Sequence, residues 1–272
     1  MQGLEAFIPT ELKIQYINRL LRVGFHTLDF GSFVSPKAIP QLRDTLEVFR
    51  NLDRRDSQTK LLAIVANSRG GADACALSGI DCIGFPMSIS ETFQQRNTNK
   101  SIAEALNTMQ ELMNMTDKAG KELVVYISMG FGNPYGDKYH PDMVVSFAEI
   151  LRTLGIKIIS LADTVGSSTP ELIQELFIKV STANPDLEIG LHLHSQPFLA
   201  DKKVQAALSA GCKRIDSALL GFGGCPMAND RLVGNLDTRT VLHVMENEGL
   251  SSGIDSAELD KALLMANRVF GQ

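Results

Sequence analysis

The sequence predicts an α/β fold, a TIM (β/α)8 barrel in which seven strands are visible and the first is missing. Three observations lead there. Helical and strand patterns alternate along the whole chain, and such alternation requires crossover connections and hence a parallel sheet. Polar residues gather at the C-terminal ends of the strands: Asp29, Asn67, Ser88, Ser128, Asp163, His192 and His194. In a barrel those ends share one mouth, where active sites lie. Neither GxGxxG nor GxxxxGK[ST] occurs, whereas an open doubly wound sheet more often carries a glycine-rich phosphate turn after its first strand.

The elements follow in order. Leu12, Ile14, Ile17, Leu20 and Leu21 give residues 10–23 the spacing of an amphipathic helix, stopped by Gly24. Residues 25–33 read as a strand with Asp29 near its end, and 38–52 as a helix. Strands follow at 60–67, 79–88, 122–131, 156–166, 188–195 and 213–221. Helices separate them at 70–78, 101–119, 141–154, 170–183 and 199–210, the fourth of these opened by Thr169-Pro170, with proline at the first helical position. Helices 238–248 and 256–269 pack on the barrel and end the chain. No Pro/Ser-rich linker or charge block interrupts the rhythm, so residues 1–272 read as a single domain.

Composition narrows the function classes. Hydrophobic residues make up 44% of the 272, enough for a large core. The net charge of −5 comes without a clustered basic face, which excludes nucleic acid as an expected partner. No apolar run approaches the roughly 18–20 residues that cross a bilayer, and the N-terminus lacks the regions of a signal peptide. Cys75, Cys82, Cys212 and Cys225 form no CxxC pair. The expectation is reduced thiols and a cytoplasmic location, with no membrane partner.

The stretch with most chemistry is Glu188-Ile-Gly-Leu-His-Leu-His-Ser195. On a strand, residues i and i+2 face the same side, their Cβ atoms roughly 6–7 Å apart. His192 and His194 are therefore placed to share one metal ion; the other reading is two polar residues facing water. The second loaded stretch is Gly221-Phe-Gly-Gly-Cys-Pro-Met-Ala228 followed by Gly234-Asn235. A loop of this kind can bring a thiol, Cys225, over the barrel mouth. Asn235 offers a carbonyl oxygen suited to Mg²⁺ or Mn²⁺, though asparagine also serves as a helix cap or turn residue.

These stretches carry a resemblance. Ser32-Phe-Val-Ser-Pro-Lys37, Ser90-Glu-x-Phe with Asn97-x-Asn99, Ser160-Leu-x-Asp-Thr-x-Gly166, His192-x-His194 and Gly221-Phe-Gly-Gly-Cys-Pro226 together resemble the 3-hydroxy-3-methylglutaryl-CoA (HMG-CoA) lyases, of the metal-dependent TIM-barrel lyases and synthases. The resemblance runs nearly the whole length. It implies an acyl-CoA substrate, cleavage of HMG-CoA to acetyl-CoA and acetoacetate as in leucine degradation, and a divalent cation, Mg²⁺ or Mn²⁺. It implies His192, His194 and Asn235 as metal ligands. It gives His192, Cys225, Asp29 and Asp163 as catalytic candidates, with Asp29 standing where the family usually has a glutamate. For Asp163 the resemblance leaves two roles open, direct chemistry or holding a loop.

The chain departs from the pattern in three places. The family's first strand ends in an Arg-Asp pair, and Met1-Gln2-Gly3 aligns just after it, so the expectation is a barrel without that strand, with weak Mg²⁺ or Mn²⁺ binding and poor or absent lyase activity. Ser195-Gln-Pro-Phe198 stands where the lyases read Asp-Thr-Tyr-Gly. The loop between Cys225 and Asn235 is one residue longer. The alternatives are a related aldolase or condensing enzyme acting on another substrate, and a non-catalytic barrel-derived binding protein. An incomplete barrel leaves strand edges that pairing would cover, which suggests a homo-oligomer, a dimer being the simplest.

Overall fold

The computed structural model describes residues 1, 4, 6–224 and 233–271. Seven parallel strands form one sheet in sequence order: β1 Thr27–Ser32, β2 Lys60–Ile64, β3 Cys82–Ser88, β4 Glu122–Ser128, β5 Ile158–Asp163, β6 Glu188–Leu193 and β7 Ile215–Asp216. The helices are α1 Thr10–Leu21, α2 Thr45–Arg50, α3 Ser68–Cys75, α4 Glu91–Thr98, α5 Ile102–Ala119, α6 Pro141–Thr153, α7 Pro170–Ala183, α8 Pro197–Ser209, α9 Thr238–Asn247 and α10 Ser256–Phe270. The predicted (β/α) order and the seven strands are observed. Every neighbouring pair is parallel, and among the described residues β7 does not pair back onto β1. The sheet is a curled, open TIM-like barrel.

The strands are nearly continuous apolar runs because both of their faces are covered. On the outer face Leu61, Ala63, Ile83, Phe85, Val125, Ile127, Ile159, Leu161, Ile189, Leu191 and Leu193 pack under the helices in one core. On the inner face Leu62, Cys82, Val124 and Ile158 make a small plug, with Ile64 and Tyr126 against it. A second apolar cluster joins α1 to α10 through Tyr16, Leu20, Leu259, Ala262 and Ala266. It is tied by an Arg19–Glu258 ion pair of 2.8 Å.

Local chemistry explains most boundaries. Ser101 and Glu104 form a reciprocal capping box at the start of α5, and Gly120 ends that helix at φ +64°. Thr169 caps α7 by accepting from the Leu172 N–H, and Pro170 needs no partner there.

Four expectations need correction. The segment read as helix 38–52 is a 3₁₀ turn, opened by Pro40 and ending at Leu42, followed by the short α2 from Thr45. The helix read at 70–78 starts earlier, where Asn67 accepts the Gly70 N–H as a cap. The strand read at 213–221 is only two residues, and a 3₁₀ turn at Leu219–Gly221 follows it. Asp29 lies mid-strand rather than near the end, beside a register shift between Asp29 and Gly31. Cys75, Cys82 and Cys212 are free thiols. No described helix is long and apolar enough to cross a membrane.

Candidate active site at the barrel mouth

Strand β6 carries His192 and His194 to the mouth on one face, with ring centroids 5.4 Å apart. Each ring is fixed through Nδ1. His192 Nδ1 lies 3.2 Å from Asp216 Oδ2, and the two residues are direct register partners across β6 and β7. His194 Nδ1 lies 2.9 Å from the Val233 carbonyl; a carbonyl can only accept, so this nitrogen carries the proton. Both rings thereby turn Nε2 free of these bonds. An imidazole whose other nitrogen donates to a carboxylate or carbonyl is the arrangement metal-binding histidines use.

The electrostatics separate the two rings. Burial works against a charged His192, yet the hydrogen bond and charge of Asp216 outweigh it and raise its pKa. His194 moves the other way, down to about 4, through burial and then the charge of His192. It is neutral at pH 7 and keeps a lone pair for a ligand. Tyr126 meets His192 edge-on with centroids 5.7 Å apart. The Asp29 carboxyl is pushed up to about 7, mainly by burial and further by Asp216, while the Met1 amino group and His192 oppose the shift. Asp29 is nonetheless exposed, and solvent tempers that shift.

Asn235 sits beside His194 because the backbones of the two residues form an antiparallel bridge. Its N–H donates to the Gly221 carbonyl at 3.1 Å and its side-chain Nδ2 to the Phe222 carbonyl at 3.1 Å. With the amide nitrogen turned to the loop, Oδ1 is the atom left to act as a ligand. The glycines make this contact possible. Gly223 has φ +124°, and a Cβ there would lie 2.3 Å from Asn235 Nδ2. Cys225 lies outside the described residues.

Asp163 is buried and fully engaged. It accepts the N–H groups of Ser167 at 2.8 Å and Ser168 at 3.0 Å, the Ser168 hydroxyl at 2.5 Å, and the Lys203 ammonium at 3.0 Å. Of the two roles open for it in the sequence, these contacts match the holding of a loop. On β5, the buried Ser160 Oγ has no hydrogen-bond partner; it stands opposite Gly190 on the face that carries His192.

The residues present suit a divalent cation in donor type: two oriented imidazoles and one amide oxygen. Among the described residues no group of three His, Cys, Asp or Glu converges, and the amide beside the two rings is that of Asn235. Asp216, Tyr126 and Lys203 were missed in the sequence. A lone aspartate in the last strand was the only available signal for Asp216, and a tyrosine among aliphatic strand residues the only one for Tyr126.

The chain is similar to known proteins over nearly its whole length. The HMG-CoA lyase YngG of Bacillus subtilis is 33% identical over 266 residues, 98% of this chain and 87% of that protein. The cytoplasmic 3-hydroxy-3-methylglutaryl-CoA lyase of Danio rerio is 30% identical, over 96% of this chain and 77% of its own length. Among solved structures, an HMG-CoA lyase from Acinetobacter baumannii in complex with coenzyme A and 3-methylmalate superposes with a TM-score of 0.91 at 30% identity, covering all of this chain and 88% of that one. The HMGL-like family profile matches residues 1–265, and the chain belongs to that family.

Proposed function

We propose that the chain is a carbon–carbon lyase that cleaves HMG-CoA to acetyl-CoA and acetoacetate, with His192, His194 and Asn235 holding a divalent cation. The observation that carries this reading is the pair of imidazoles on one strand face, each with Nδ1 occupied and Nε2 available. Family membership and the relatives' shared name support the substrate. A bound cation, Mg²⁺ or Mn²⁺, would supply Lewis-acid polarisation of substrate oxygen.

The chain's own residues do the rest. The tertiary hydroxyl gives its proton to a base; Asp29, with a carboxyl raised towards neutrality, and the His192–Asp216 pair are the described groups tuned for that task. The C2–C3 bond then breaks. Its electron pair passes to the thioester as an enolate, and C3 becomes the ketone of acetoacetate. A proton delivered to C2 completes acetyl-CoA. The Cys225 thiol is our proposed donor or relay for that last proton. Tyr126 holds the His192 ring from its edge, and Asp163 keeps the β5–α7 loop in place.

The test is acetoacetate release from HMG-CoA with Mg²⁺ or Mn²⁺ added, for the parent and for His192→Asn. Loss of kcat by about 10²-fold or more in the variant is expected. Equal turnover by the two would remove His192 from the reaction.

A further inference from the structure

Lys203 lies on the inner side of α8 among Ala200, Val204 and Ala207, and solvent does not reach it. Burying an ammonium is costly unless its hydrogens are satisfied. Here three acceptors meet it: Asp163 Oδ2 at 3.0 Å, the His194 carbonyl at 2.9 Å and the Gly166 carbonyl at 3.3 Å. One cation therefore joins the end of β5, the turn at Gly166 and the point where His194 leaves β6.

We infer that Lys203 is a positioning residue for His194, fastening its backbone from inside the barrel wall so that its ring stays in one orientation. The opposite side of the same segment is held by residues 233–235. The Ser195 N–H donates to the Gly234 carbonyl at 3.0 Å, and the ring of His194 is tied to the Val233 carbonyl. Gly166 links the two sides, since a Cβ on it would come 2.7 Å from Val233 Cγ1. Lys203, Gly166, Val233 and His194 thus form one contiguous support. If the lysine leaves, the inner fastening of His194 goes with it, whether or not the fold survives. This inference rests on the reading that His194 serves the site.

A purely structural ion pair makes a different prediction. Replacing both members of a buried pair commonly restores stability, whereas removing one leaves an unpaired charge. The experiment compares Lys203→Met with Lys203→Met/Asp163→Asn in three readouts: thermal unfolding, affinity for Mn²⁺ alone, and long-range ¹H–¹⁵N spectra of the metal-free imidazoles. The single variant should lose about 10 °C in Tm, and the double variant should recover much of it. Both should bind Mn²⁺ about 10-fold to 100-fold more weakly, as when a group that orients a metal ligand is removed. In both, His194 should lose its single Nδ1–H tautomer. A double variant with the parent's tautomer spectrum and Mn²⁺ affinity would overturn the inference. Should the double variant unfold, the spectrum of Lys203→Met below its transition decides the same question. Should the parent neither bind Mn²⁺ nor cleave HMG-CoA, the proposed function fails, and the tautomer readout still decides the role of Lys203.

Discussion

His192 holds its ring between Tyr126 at one edge and Asp216 at Nδ1, and most of what the site can do begins with those contacts. Asp216→Asn keeps the shape and removes the charge. Its expected effect is a kcat lower by about 10-fold to 100-fold and a His192 pKa that falls, read by steady-state assays and by NMR titration of the imidazole. The two histidines also make the pH dependence asymmetric. The His192 pKa is raised while that of His194 is lowered to about 4, so acidification should protonate His192 before His194. Mn²⁺ binding should therefore weaken with a slope of about one proton per ion until the pH approaches about 4. A slope near two would mean that both rings titrate. Stability follows a separate sign. The folded His194 has a pKa below its usual 6.5, so between those values the unfolded chain binds the extra proton, and stability falls as pH drops from about 6.5 to 4. Asp29, raised to about 7, acts oppositely over part of the range. The clean comparison is His194→Gln, whose urea midpoint at pH 5, relative to its own value at pH 7, should lie higher than the parent's, because the loss due to His194 is gone while the Asp29 contribution stays.

The elements show why some of this was legible in sequence and some was not. The His-x-His pair could be read because the period of a strand places i and i+2 on one face whatever the rest of the chain does. The glycine loop could be noticed, but not why Gly223 must be glycine. That requires knowing that Asn235 returns to lie against it. Gly223→Ala is expected to displace the Asn235 amide and weaken Mn²⁺ binding by about 10-fold, with little change at His192; calorimetric titration with the metal checks it. Asp216 was hidden because its pairing with His192 depends on the β6–β7 register, a non-local fact. Lys203 was hidden because an amphipathic reading sends lysines to water, and only Asp163 and two carbonyls make the interior acceptable. Helix α4 was missed because Glu91–Thr98 is almost wholly polar and turns only Phe93 and Gln94 inward. The capping box of α5, by contrast, is a local signal. Ser101→Ala should cost about 1 kcal/mol, a Tm loss of roughly 2–4 °C, without changing activity.

At the scale of the molecule, alternating strands and helices bring residues far apart in sequence to one mouth. His192 and His194 come from β6, Asp216 from β7, Tyr126 from β4, Asp29 from β1, and Asn235 from the segment returning towards α9. The barrel class and its order were readable because alternation leaves few topologies open. Among the described residues the sheet is open between β7 and β1, which matches the seven strands counted in sequence. The most direct test of the account is a stoichiometric one. The folded chain, stripped of metal and then supplied with Mn²⁺, is given HMG-CoA, and acetyl-CoA and acetoacetate are both quantified. Equal amounts of the two products, lost on chelation and in His192→Asn, are expected. A folded, Mn²⁺-loaded protein that forms neither product, or that forms both equally well after chelation, would contradict the account.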